Sequence, residues 1–228
     1  MAWRDWIRTV EIEPSVYAAD FAHLGDQVRY LLNAGARVFH FDVGDGHFVE
    51  PITMGPVVLR SIAPMIHKAG GVIDVHLMVS NPEHHFPQMK AAGGDSVTFH
   101  VEACEEPWNA IALARSHELS VGVAFNPETP VENAVAASLG ADLVLCMSIH
   151  PGYSGQELMP EALPRLRELR SQLHERVVVQ VDGGVTPQNV REVYETGVES
   201  IVAGTAIFGF EDLSRAYHRL VRELAPAD

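Results

Sequence analysis

The chain has 228 residues, 47% apolar and 20% charged, enough to bury one sizeable core. Its formal charge of −14 repels phosphate backbones and anionic bilayers, and its Lys and Arg are scattered. Nucleic acid and membrane are therefore not expected as partners, although backbone N–H groups or a metal ion could still give a small anion local positive charge.

Cys104 and Cys146 are the only cysteines, too few for a disulfide framework and without metal-ligand spacing to one another. The opening MAWRDWIRTVEIEPSV has no basic region followed by a long apolar stretch and a small-residue cleavage site. No segment reaches the ~18–20 continuous apolar residues of a membrane span. These features predict a soluble protein of the reducing cytoplasm.

In chain order, β-rich runs predict strands at 10–15 (VEIEPS), 37–43 (RVFHFDV), 71–78 (GVIDVHLM) and 96–102 (SVTFHVE). Four more follow at 120–126 (SVGVAFN), 141–148 (ADLVLCMS), 176–182 (RVVVQVD) and 200–204 (SIVAG). Between them, Asp20, Asn81-Pro82, Thr129-Pro130 and Thr186-Pro187 mark helix starts, with a capping side chain and often Pro in the first turn. Regular β-then-α alternation means parallel strands joined by crossovers. The expected fold is α/β, a single (β/α)8 TIM barrel over residues 1–228. An open doubly wound sheet would show a GxGxxG turn after its first strand, and none is present.

Active-site side chains of a parallel barrel come from the C-terminal ends of its strands. Here those ends carry Ser15, then His40 and Asp42, His76 and Met78, His100 and Glu102, and Asp182. Alternation puts His40 and Asp42 on one face, and likewise Asp74, His76 and Met78. A lone strand histidine is usually a hydrogen-bonded core group, and an Asp before Gly-Gly usually a turn former. Two imidazoles and two carboxylates at one barrel mouth would also suit a divalent transition metal, and spacing alone leaves both possibilities open. Glycines follow the last three strands, in HPGYSGQ (150–156), VDGGV (181–185) and VAGTAIF (202–208). Barrels commonly bind phosphate there, through loop N–H groups.

With these residues in place, the chain resembles the ribulose-phosphate 3-epimerases from about Glu13 to Phe208. The stretches that carry the resemblance are PSVYAADF, HFDVGDGHFV, DVHLMVSNPE, HVEAC, NPETP, MSIHPGYSGQ, VDGGV and VAGTAIFG. The resemblance implies a TIM barrel of the ribulose-phosphate-binding type that interconverts D-ribulose 5-phosphate and D-xylulose 5-phosphate through an enediolate. It implies one divalent transition metal (Zn2+, Fe2+, Mn2+ or Co2+) on His40, Asp42, His76 and Asp182, with Asp42 and Asp182 also the acid/base pair. Ser15, His76, Met78 and Met147 correspond to substrate contacts. Gly152, Tyr153, Ser154, Gly155, Gly183, Gly184, Gly204 and Thr205 correspond to the phosphate site. A homo-oligomer is also implied.

The chain departs from the family pattern in five places, one of them a somewhat extended stretch before the third strand, SIAPMIHKAGG (61–71). DVMDG becomes DVGDG, with Gly44 for Met; VPN becomes Val49-Glu50-Pro51; NPGFGGQ becomes HPGYSGQ; and Gln180 stands for Glu. A vacancy at Gly44 would admit another ketose phosphate, such as allulose 6-phosphate, unless a neighbouring side chain refills it. Decarboxylases and aldol-type synthases on related barrels are expected to place Lys at a strand end, and no predicted strand end carries one. A sensor that kept the phosphate site without turnover is the non-enzyme alternative.

Overall fold

In the computed structural model, which describes residues 3–7 and 9–224, the apolar runs form eight parallel strands. They are β1 (Glu11–Pro14), β2 (Val38–Gly44), β3 (Val72–Met78), β4 (Ser96–His100), β5 (Ser120–Phe125), β6 (Leu143–Met147), β7 (Val178–Asp182) and β8 (Ser200–Ala203). Residues 1, 2, 8 and 225–228, part of the expected domain, lie outside the described residues. The hydrogen-bonded order is β1-β8-β7-β6-β5-β4-β3-β2. The remaining seam is bridged between Ser15 and His40, so the sheet curls into the expected (β/α)8 barrel.

A short α1 (Trp3–Trp6) precedes β1, and the helices between strands are α2 (Leu24–Asn33), α3 (Pro56–Lys68), α4 (Phe86–Ala92), α5 (Pro107–Ser116), α6 (Val131–Ala137), α7 (Ala162–Gln172) and α8 (Val190–Tyr194). After β8 come α9 (Thr205–Phe208) and α10 (Leu213–Leu224). No helix among the described residues is long and apolar enough to cross a membrane.

Strand alternation divides the core in two. Outward positions such as Phe39, Phe41, Val75, Phe99, Val123 and Val181 are fully buried beneath the helices. Each such side chain contributes about 1.5–3 kcal/mol through removal from water. Inward positions fill the barrel. Its floor is apolar, where Trp3 and Trp6 pack on Val38, Leu143 and Val178 at the strand starts. Above the floor the interior turns polar, with Glu13, His40, Asp74, Ser96, Thr98, Gln180 and Ser200 all buried. The space there is narrow: a Cβ on Gly122 would lie 2.3 Å from Thr98 Oγ1.

Several boundaries differ from the sequence expectation. β4 stops at His100, and Val101–Ala103 forms a 3-10 turn that holds Glu102 outside the strand. Asp20 caps a 3-10 turn, accepting from the Ala22 N–H, and α2 begins only at Leu24. α8 starts at Val190 rather than after Thr186-Pro187, because Asn189 accepts from the Thr186 N–H and closes a turn first. Asn81 makes no side-chain cap, and the Thr129 hydroxyl donates instead to Glu102.

Candidate functional site

The polar groups at the ends of β2, β3 and β7 converge on one point at the barrel mouth. One ligand-capable atom each from His40, Asp42, His76 and Asp182 lies within 4.8 Å of the others. His76 Nδ1 is 3.0 Å from Asp42 Oδ1 and 3.2 Å from His40 Nε2. Asp182 Oδ2 lies 3.8 Å from His40 Nε2 and 3.9 Å from His76 Nδ1. The donor set, two imidazole nitrogens and two carboxylates in a largely dry cage, fits a divalent transition ion.

Each donor is backed by another residue. Ser15 donates its hydroxyl to Asp42 Oδ2 at 2.6 Å. Behind His40, Nδ1 is 3.2 Å from Asp74 Oδ2, off the line of a good hydrogen bond. Asp74 in turn accepts from Ser96 and Thr98. Glu13 also faces His40, and Glu13, His40 and Asp74 form a second group of ligand-capable atoms. The Gln180 amide serves this second group, donating to Glu13 Oε2 at 3.0 Å, Ser200 Oγ at 3.2 Å and Asp74 Oδ2 at 3.4 Å. A carboxylate at 180 would bring a third acid against Glu13 and Asp74, so the amide suits this layer where a Glu would not.

The charges are displaced in opposite directions. Burial raises Asp42, but His40 and His76 outweigh it and hold its carboxyl well below the usual range. Burial, with Asp42 beside it, pushes Asp182 up. Burial disfavours the His40 cation, yet Asp42, Asp74 and Asp182 overcome that and raise its pKa well above the ordinary imidazole value. Burial and neighbouring Asp74 push Glu13 up to about 8.

Beside the cage lies a pocket of about 220 Å³, lined by Ser15, Asp42, Met78, Met147 and Asp182 and by the loops after β6, β7 and β8. Gly152, Tyr153, Ser154, Gly155, Gly183, Gly184, Gly204 and Thr205 all line it, so the expected cage and phosphate residues adjoin one cavity. His76 does not line it and lies fully buried behind. Among the described residues no Lys or Arg lines the pocket, leaving backbone and hydroxyl groups to meet an anion. Gly183 and Gly184 have φ of +117° and +65°, and a Cβ on Gly184 would stand 2.1 Å from Leu158 N. Only glycine lets the chain turn here.

The vacancy considered at Gly44 is refilled. A Cβ there would meet Pro51 O at 2.8 Å and Val49 Cγ2 at 2.9 Å, and Gly44 does not line the pocket. Two other departures answer each other, since Tyr153 donates its hydroxyl to Glu50 at 2.8 Å and links the loops after β2 and β6. Asp74, Glu13 and Gln180 are supporting groups that the strand-end rule passes over because they sit one layer deeper. Their signal in the sequence is a polar side chain inside an apolar run.

The model of the ribulose-phosphate 3 epimerase family matches residues 11–208. Ribulose-phosphate 3-epimerase from Escherichia coli strain K12 is 39% identical over 217 residues, 94% of this chain and 96% of that one. The Bacillus subtilis strain 168 protein of the same name is 35% identical over 211 residues, covering 91% and 96%. Among solved structures, thiamine phosphate pyrophosphorylase from Pyrococcus furiosus superposes with a TM-score of 0.68 at 20% identity over 95% of each chain. A 3-hexulose-6-phosphate synthase gives 0.70 at 20% identity, over 96% of this chain and 100% of that one. At such identity these two structures bear on the fold alone.

Proposed function

Because the chain belongs to the ribulose-phosphate 3-epimerase family, we propose that it interconverts D-ribulose 5-phosphate and D-xylulose 5-phosphate, with Asp42 and Asp182 as paired base and acid. The observation that carries this reading is the convergence of Asp42 and Asp182 with two imidazoles beside a glycine-walled pocket.

Epimerisation beside a ketone needs a proton removed from C3 on one face and another returned on the opposite face. One carboxylate takes the C3 proton while the C–H electron pair moves into the C2 carbonyl, leaving an enediolate. The other carboxyl then delivers its proton to C3 from the far side, and the reverse reaction exchanges their roles. In the metal-free cage the two carboxyls are displaced in opposite directions, Asp42 down and Asp182 up, so the pair is unequal, as a base and acid pair must be. Ser15 holds Asp42 through its second oxygen. Met78 and Met147 supply apolar, adaptable walls over the reacting carbons. The loops after β6, β7 and β8 take the phosphate through backbone N–H groups and hydroxyls. A divalent ion (Zn2+, Fe2+, Mn2+ or Co2+) held by His40, Asp42, His76 and Asp182 would supply Lewis-acid stabilisation of the charge developing on the substrate oxygens.

A pentulose phosphate is the preferred substrate class because the Gly44 vacancy that pointed to allulose 6-phosphate is filled by Val49 and Pro51. The test is an NMR assay of pentulose and hexulose phosphates with chelated and metal-supplemented protein. Xylulose 5-phosphate should accumulate from ribulose 5-phosphate only with metal. His40→Ala and His76→Ala should lose bound metal and turnover together. Absence of conversion with all four ions, or full activity after stoichiometric metal removal, would refute the reading.

A further inference from the structure

The fourth strand ends in His100, a fully buried residue with no part in the proton transfer above. Its Nε2 lies 2.9 Å from His76 Nε2, and the two rings stack at 5.1 Å and 23°. Phe48, from the loop after β2, packs against His100 with ring centroids 4.8 Å apart. Beyond His100, Nδ1 lies 3.3 Å from Glu102 Oε2, off the ideal line. Glu102 accepts from the Asn126 N–H at 2.8 Å and from the Thr129 hydroxyl. Arg165 pins that loop by donating to the carbonyls of Asn126 and Thr129.

We propose that His100 and Glu102 are positioning residues that fix the tautomer and ring angle of His76 toward the cage, a role that rests on the metal reading of that cage. Two ring nitrogens 2.9 Å apart share one hydrogen, so one donates and the other accepts. His76 Nδ1 faces Asp42, His40 and Asp182, and it can ligate an ion only through a free lone pair. The His76 hydrogen therefore sits on Nε2, and His100 Nε2 accepts it. The His100 hydrogen then sits on Nδ1, on the side of the Glu102 carboxylate. The opposite direction would aim a hydrogen from His76 into the cage and a His100 lone pair at a carboxylate. Only one polarity of the chain leaves a usable ligand. The other imidazole needs no relay, because Asp74 stands directly behind His40. Outer partners of this kind typically change metal affinity by about 10–100 fold when removed.

Zinc binding to metal-free protein, read by chelator competition, tests the role without reference to turnover. His100→Phe keeps a ring but offers no acceptor, and zinc affinity should fall by about 10–100 fold. His100→Gln can place a carbonyl near the lost Nε2 and should recover most of that loss. Equal affinity in wild type and His100→Phe would overturn the role. An equal loss in both variants, with matching falls in melting temperature, would reduce His100 to a packing residue and also overturn it. Long-range 1H–15N spectra of the zinc-loaded wild type need no variant: hydrogens on His76 Nε2 and His100 Nδ1 support the chain, and the reverse pattern overturns it. Wild-type protein that takes up none of Zn2+, Fe2+, Mn2+ and Co2+ would overturn the metal reading itself and this role with it.

Discussion

The two sides of the barrel mouth solve different problems with different parts of the chain. On the side of β1 to β4, strand-borne side chains converge and are backed by further strand residues, His40 by Asp74 one layer deeper and His76 by His100 at the end of β4. On the side of β6 to β8, Asp182 is the one titratable strand-end group facing the cage, and the wall is loop backbone with glycine at 152, 155, 183, 184 and 204. Titratable groups whose positions must be fixed sit on rigid strands above a buried core. On the proposed reading, the glycine-walled loops would meet a phosphate with neutral donors, without adding cations beside the cage.

Asp182 is the sharpest way to break this division, since it joins the acidic cage from the glycine side. Asp182→Asn should lower kcat by about 10²–10⁴ fold, the usual worth of a positioned acid or base, with the melting temperature little changed. Near-wild-type turnover in the folded variant would remove it from the mechanism. Asp74→Asn acts one layer deeper and should weaken metal binding by about 10–100 fold. Excess metal should restore most of its kcat, whereas Asp182→Asn should stay impaired at saturation. Metal titrations of both variants separate the layers.

The raised pKa of His40 gives the strand side a pH signature. A folded-state pKa above the unfolded value of ~6.5 stabilises the metal-free protein below that pH, and the contribution fades as pH rises through the folded pKa. Metal must displace that proton, so uptake near neutrality should release a proton and apparent affinity should rise with pH. Calorimetry in buffers of different ionisation enthalpy measures the release, and pH-independent affinity across pH 6 to 8 would contradict it. His100, which burial and His76 hold at about 4, should contribute none.

The smallest effect concerns Gly44, where loop and strand meet. Gly44→Met should cost about 1–3 kcal/mol through overpacking against Val49 and Pro51, read as a lower melting temperature. The ratio of pentulose to hexulose turnover should not move. A stable variant with a shifted ratio would restore Gly44 as a specificity determinant.

What the sequence made legible follows from how local the information is. The eight strands were readable because each is a contiguous apolar run, and His40, Asp42, His76 and Asp182 because they fall at strand ends. Their supports were not. Glu13 and Gln180 are 167 residues apart in the chain, and only closure of the barrel makes one answer the other. The filled space at Gly44 depends on the path of residues 49–53, which no periodicity encodes. Glu102 read as strand, yet it turns out of β4 in a 3-10 turn and reaches Thr129.

The central claim is transfer of protons by two carboxyls on opposite faces, and epimerisation of D-ribulose 5-phosphate in D2O tests it most directly. The account predicts that xylulose 5-phosphate formed early carries deuterium at C3 while recovered ribulose 5-phosphate still carries protium. Product that keeps the substrate's own C3 hydrogen, or substrate that exchanges as fast as product appears, would contradict it and point to a single group serving both faces.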